Sequence, residues 1–257
     1  MSMDLLDVPV HPYSESKLLD AFDAGMLVFH NLDTIYKAQS DERFREICRS
    51  AEFSVVDSQV VRGLIMMMGG GRIDKVSGSD FLPAFCRRHA ADPSVRIFLL
   101  GAGPGVAEKA RRALNEAAGR VIVVGAHSPS FNLLHDEGES SDVADIINKS
   151  GATVLAVGMG APKQEIWMAG HRDQMPGVTR LMAVGATLDF EAGRIKRAPE
   201  WVSAVGMEWL FRLMLEPKRL WRRYLVQGPH VILAMLRSGR LRPVDKRRAT
   251  LPLLKRD

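Results

Sequence analysis

Residues 153–167 read TVLAVGMGAPKQEIW, and residues 181–199 read LMAVGATLDFEAGRIKRAP. Thr153 to Val157 is a short, unbroken apolar run, the pattern of a strand buried on both faces. It stops at Gly158 and Gly160, which permit a tight turn and close approach of a ligand to the backbone. Pro162 suits the first position of a helix, where its missing N–H is no loss. Lys163, Gln164 and Glu165 follow in the first turn. A strand that turns through glycine into a helix N-terminus presents unpaired N–H groups and positive dipole potential to an anion. The glycines alone fit an ordinary strand-to-helix turn equally well; the crowd of polar side chains favours a ligand site. The second stretch repeats the plan: a strand at Leu181–Val184, then Gly185, Asp189, Gly193 and the cations Lys196 and Arg197.

Outward from this pair the same alternation covers most of the chain. Strands are predicted at Met26–Asn31, Phe53–Asp57, Val95–Leu100 and Val121–Val124, besides 153–157 and 179–184. Helices are predicted at Thr34–Arg49, Gln59–Met68, from Phe81, through Ala118, at Asp142–Lys149 and at Pro162–Gln174, with a polar loop at Ser128–Ser141. Such alternation predicts an α/β, Rossmann-like fold, a mostly parallel sheet with helices on both faces. Ligands of such sheets bind beyond the carboxyl ends of the strands. Asn31, Asp57, Gly101–Gly105, Gly158–Glu165 and Gly185–Asp189 all fall at strand ends and converge on one crevice.

The 257 residues suffice for one large α/β domain over residues 1–211, followed by a basic helical C-terminal appendage over 212–257. That appendage carries 13 Lys and Arg against 3 Asp and Glu, a net of +10, which leaves −5 on the remainder of a chain whose net charge is +5. An acidic body with a basic tail points to an anionic partner: lipid, nucleic acid or a phosphorylated ligand. The tail is expected to be loosely held until it docks. Its Trp221 and Tyr224, interleaved with Arg219, Arg222 and Arg223, suit phosphate contact or a membrane surface.

Several classes lose their support. Two cysteines, Cys48 and Cys86, lie far apart without a CxxC, and the seven histidines are scattered, so neither a disulfide framework nor a metal site is expected. A reduced, cytoplasmic protein is the expectation, with no export signal at Met1–Ser14 and no apolar run long enough to span a bilayer. The glycines at 101, 103 and 105 are followed by Val106 where the dinucleotide fingerprint needs glycine, and no phosphate-loop GKS/T motif is present. An NAD(P) oxidoreductase therefore stands only as an alternative. A nucleic-acid-binding module is weaker still, given the acidic body and the lack of a recognition motif.

Asp57 ends an apolar strand at the crevice, where it can act as a base on an attacking hydroxyl or cap the following helix. The chain holds no D-x-D, a common divalent-metal motif, so the charge of any anionic ligand must be met by cations and a helix N-terminus.

Taken together these motifs closely resemble the WecG/TagA/CpsF family of bacterial glycosyltransferases. The resemblance rests on Asn31, Asp57, the Val76-Ser77-Gly78-Ser79-Asp80 loop, Gly101 and Gly103, and Gly158, Gly160, Pro162, Lys163, Gln164 and Glu165. It continues through Asp189, Phe190 and Gly193, Arg197-Ala198-Pro199, and the Glu208-Trp209, Arg212, Glu216-Pro217, Arg219 pattern. It implies an inverting transfer of a sugar from a UDP-sugar (N-acetylmannosamine, its uronic acid or glucose) to a polyprenyl-diphosphate-linked saccharide. The setting it implies is peripheral, at the inner face of the cell membrane, with no cofactor, no nucleic acid and scope for a homo-oligomer. The family's base falls on Asp57, its polar pocket residues on Asn31, Lys75 and Gln164, and its C-terminal arginines on Arg212, Arg219 and Arg222. The chain departs from the family in having Ser58 rather than Gly after the base, and Lys75 rather than Arg before the Val76–Asp80 loop. Lysine keeps the charge but loses the bidentate fork.

Overall fold

Short, mostly apolar runs form the six strands of the central sheet, fully buried in β3, β5 and β7 and only half-buried along the edge strand β6: β3 (Gly25–His30), β4 (Phe53–Val56), β5 (Ile97–Gly101), β6 (Val123–His127), β7 (Val154–Gly158) and β8 (Arg180–Ala183). The computed structural model describes residues 2–199, 202, 207–239 and 241–243. Every pairing in this sheet is parallel, and the order is β4-β3-β8-β7-β5-β6. Successive residues of a strand face opposite layers. Leu27 joins Leu18 and Phe22 of the α1 (Glu15–Ala21) segment, Phe81 and Phe85 of α5 (Gly78–Arg88), Ala110 of α6 (Val106–Ala118) and Leu188 of α9 (Thr187–Glu191) on one face. Val28 joins Ile47 of α3 (Glu42–Ser50), Ile147 of α7 (Glu137–Ser150) and Trp167 of α8 (Lys163–His171) on the other. The expected α/β, Rossmann-like sheet with helices on both faces is the observed one.

Element ends follow local chemistry that the periodicity missed. The single helix expected over 34–49 is two, α2 (Leu32–Ser40) and α3, because Asp41 takes an extended conformation and its carboxylate accepts the Phe44 N–H at 2.9 Å. Ser77 caps α5, which therefore starts at Gly78 rather than near Phe81. Asp136 caps α7 within the segment read as loop.

The chain adds a second, antiparallel sheet that the sequence reading did not contain: β1 (Met3–Leu5) lies between β2 (Val8–Val10) and β9 (Arg242–Pro243). Between the main sheet and β9 run α10 (Glu208–Leu215), α11 (Pro217–Arg222), a π-helical turn (Arg223–Gln227) and α12 (Gly228–Ser238). This segment is docked rather than loose. Val231 and Met235 of α12 are buried with Ile35 of α2, Val61 and Ile65 of α4 (Gln59–Met67) and Leu5 of β1, and Leu220 is buried as well. No helix among the described residues is long and apolar enough to cross a membrane.

The topology then fixes where a ligand can sit. From β3 the chain enters α2, which packs beside α3 and hence α8; from the neighbouring β8 it enters α9, which packs on α5 and α6. Connections leaving adjacent strands toward opposite faces open a crevice at their carboxyl ends.

Candidate active site

A cavity of about 440 Å³ occupies that crevice. One wall comes from the strand ends: Phe29 and Asn31 after β3, Asp57 and Ser58 after β4, Gly160 and Gln164 after β7, and Gly185 to Thr187 after β8. Lys75, Gly78 and Ser79 form a second side. Trp209, Arg212, Arg223 and Tyr224 close it from the C-terminal helices.

Asp57 is held by its backbone, whose N–H donates to the His30 carbonyl at 2.7 Å. The alternative role for its carboxylate, capping α4, belongs to the next residue: Ser58 is the N-cap, its hydroxyl accepting the Val61 N–H at 3.3 Å. This gives a physical reason for Ser58 where the family has glycine, since a glycine has no side chain with which to accept that bond. Asp57 itself lines the cavity.

Asn31 is the N-cap of α2. Its Oδ1 accepts from the N–H groups of Asp33 (3.1 Å) and Thr34 (3.3 Å) and also from Arg223 Nη2 at 2.9 Å. Arg223 Nη1 lies 3.7 Å from Asp33 Oδ2, and Asp33 is paired in turn with Lys37 at 2.8 Å. Arg212 stacks 5.4 Å from the centroid of Phe190, and Arg223 lies 5.6 Å from that of Tyr224. The Nε atoms of both arginines are buried with no hydrogen-bond partner among the described residues. Both arginines line the cavity together with Asp33 and Asp57.

Gln164 spans the turns after β7 and β8. Its Oε1 accepts from the N–H groups of Gly160 (3.0 Å) and Gly185 (3.1 Å), and its Nε2 donates to Glu165 Oε1 at 2.8 Å. The Gly160 N–H, expected to be open to an anion, is thus already committed. Glu165 is 2% exposed and lines no cavity; burial raises its carboxyl to about 7, against the lowering pull of the Gln164 hydrogen bond. Pro162 precedes α8 through a cis Ala161–Pro162 bond and lies outside both cavities.

The remaining expected residues divide. Gly101, Gly103, Gly158 and Lys163 line a second cavity of about 580 Å³, which shares Gly160, Gly185 and Ala186 with the first. At Gly101 and Gly158 glycine is demanded by the protein itself. A Cβ on Gly101 would meet the Gly158 backbone at 2.7 Å, and one on Gly158 would meet the Gly185 carbonyl oxygen at 2.7 Å. Arg197 is consumed by an ion pair with Glu191 at 2.7 Å, another with Asp80 at 3.0 Å and a bond to the Ser79 carbonyl. Arg222 is exposed and absent from the lining, and the side chain of Arg219 lies outside the described residues. Spacing alone put Arg222 and Arg223 on equal terms; the π-helical turn that starts at Arg223 coincides with the change of face. Among the described residues no cluster of three His, Cys, Asp or Glu has the geometry to hold a metal ion.

The fold and the cavity together define a Rossmann-like α/β protein whose crevice gathers the carboxylates Asp33 and Asp57 with the cations Lys75, Arg212 and Arg223. The chain belongs to the glycosyl transferase WecG/TagA/CpsF family, whose family model matches residues 3–245. It is accordingly a transferase of the cell-surface polysaccharide class, with a nucleotide-sugar donor and a lipid-linked acceptor.

Proposed function

We propose that the chain transfers the sugar of a UDP-sugar, with inversion, to a polyprenyl-diphosphate-linked saccharide. One observation carries the reading: Asp57 and the cations Arg212 and Arg223 line the same switch-point cavity. Inversion in a single displacement needs a base on the acceptor hydroxyl and stabilisation of the departing diphosphate on the far side. Asp57 is the base in this reading. Arg212 and Arg223, which both line the cavity, meet the diphosphate, and Lys75 adds a third cation. Asn31, Ser79 and Gln164 are left to orient the sugar. N-acetylmannosamine, its uronic acid and glucose are the candidate donor sugars.

We further propose that the acceptor is met at an anionic membrane surface, at its inner face. Trp221, Leu225, Val226, Leu233 and Leu236 are exposed on the C-terminal helices beside the exposed Lys218, Arg222 and Arg237. An apolar face fringed by cations suits shallow insertion. Leu220 and Val231 are buried and take no part in that face. Release of UDP from a panel of UDP-sugars, with a short-chain lipid-diphosphate saccharide as acceptor, tests the proposal. Acceptor-dependent release with at least one sugar is expected; reduction or oxidation of NAD(P) without such release would favour the dehydrogenase alternative.

A further inference from the structure

We propose that Glu165 is a positioning residue: by accepting from Gln164 Nε2 it fixes the amide so that Oε1 bridges the N–H groups of Gly160 and Gly185, and so sets the spacing of the two loops that both cavities share. The proposal rests on the functional reading above for its kinetic consequences, though not for its structural ones.

The argument starts from the symmetry of an amide. The two ends of a glutamine side chain are nearly the same shape, and only its hydrogen bonds decide which end faces which partner. The two glycine N–H groups are donors, so the oxygen must face them. A flipped amide would set an NH₂ group against two N–H groups at about 3 Å and leave both glycine donors unsatisfied inside the protein. Glu165 Oε1 is the acceptor that holds the NH₂ end away, at 2.8 Å. Gln164 is 4% exposed and Glu165 2%, so water cannot substitute readily for either contact. Gly160 and Gly185 sit at positive φ in the turns after β7 and β8, with no neighbour at the Cβ position, so the turns gain nothing from side-chain packing there. The bridge through Gln164 is what ties them together. The amide uses one of its two NH₂ hydrogens in this arrangement, and Gln164 also lines the first cavity. The second hydrogen is left for a ligand.

The other carboxyl oxygen, Glu165 Oε2, is buried without a partner. The charged groups around it are Asp33 and Lys37 of α2, with Lys37 already committed to Asp33 and to the Ala161 carbonyl at 2.8 Å each, and the buried thiol of Cys48 on α3. A proton on Oε2 leaves Oε1 as a carbonyl acceptor, so the neutral acid holds Gln164 in place. Ionisation above about pH 7 puts an uncompensated negative charge behind the cavity wall. An anionic donor is then bound less well, while the amide stays oriented.

Hydrogen exchange and kinetics on the full chain test this together. In the wild type the Gly160 and Gly185 amides are expected to exchange slowly. Glu165→Gln keeps an acceptor oxygen and should keep that protection, with donor KM within about threefold of wild type. Glu165→Met keeps the volume and loses the acceptor. It should speed exchange at both glycines at least tenfold and raise donor KM about tenfold, with kcat changed less. Gln164→Met should do the same, and the double variant should do no worse than either single one, since the two act as a unit. Donor KM of the wild type should climb above pH 7, and that climb should vanish in Glu165→Gln. Unchanged exchange at Gly160 and Gly185 in Glu165→Met, additive single effects, or a wild-type climb in Glu165→Gln overturns the proposal. If the Met variant does not fold, Glu165→Leu takes its place, with the same faster exchange expected at Gly160 and Gly185. The exchange result stands whether or not the protein turns over UDP-sugars, so a failure of the functional reading shows separately, as absent turnover in the wild type.

Discussion

Replacing Arg223 by alanine separates the cation that the structure places at the site from those that spacing alone would choose. The lost contacts are a charge-assisted hydrogen bond to Asn31 Oδ1 at 2.9 Å and a looser pair with Asp33 at 3.7 Å. Neither partner is stranded. Asn31 keeps two backbone donors, and Asp33 keeps Lys37 at 2.8 Å. The fold should therefore lose only about 1 kcal/mol, which for a chain of this size lowers Tm by roughly 2–4 °C. The loss at the transition state is larger, because the partner there is a diphosphate gaining charge. A charge-assisted hydrogen bond of about 1.5–3 kcal/mol corresponds to roughly 10- to 150-fold in kcat/KM. Arg223→Lys should recover part of it, since it restores charge without the fork. Arg222→Ala, one residue earlier but exposed, should fall within about twofold of wild type on a soluble acceptor, consistent with a surface charge away from the reaction. The assay is UDP release under initial-rate conditions with such an acceptor, alongside thermal melts. If Arg223→Ala kept full kcat/KM, or if Arg222→Ala lost as much, the placement of the cationic wall argued here would be wrong.

Other outcomes follow from the same geometry. Asp57→Asn should leave UDP-sugar binding nearly intact and lower kcat by roughly 10²–10⁴, the usual worth of a positioned base; near-wild-type turnover would remove Asp57 from that role. Turnover should persist in EDTA, as expected from a chain without D-x-D, and loss restored by Mg²⁺ or Mn²⁺ would contradict this. Co-sedimentation with anionic vesicles should weaken between low and high salt and fall further in Trp221→Ser with Leu225→Ser, two exposed positions whose change leaves the core untouched; equal binding by that variant would locate the membrane face elsewhere. Met235→Ala, fully buried on α12, should lose about 2–5 kcal/mol of stability by chemical denaturation; a loss below about 1 kcal/mol would mean that α12 contributes little to the fold.

The main sheet was legible because its strands are short, mostly apolar runs, several of them followed by a turn-forming or polar residue such as Asn31, Asp57 or Gly185. The residues after β3, β4, β7 and β8 could thus be assigned to one crevice before any coordinates. What the sequence concealed was direction and partnership. Helical spacing cannot tell which of the neighbours Arg222 and Arg223 turns toward the cavity. It cannot tell that Arg197 is spent on Glu191 and Asp80, that Ser58 rather than Asp57 caps α4, or that Gly101 and Gly158 are small to let backbones meet. The three short strands of the second sheet left no signal, since three residues carry no period, and β9 finds its partner some 240 positions away.

That second sheet also changes how the cationic wall should be regarded. The segment bearing Arg212 and Arg223 is fastened at its start to the main body and at its far end, through β9, to β1. A cation on a chain fixed at both ends searches little space, so its effective concentration at the cavity is set by the architecture rather than by diffusion. Residues 3–10 touch no ligand in this picture, yet their removal would free one of the two moorings. The first strand of the chain belongs, in that sense, to the affinity of the enzyme for its donor.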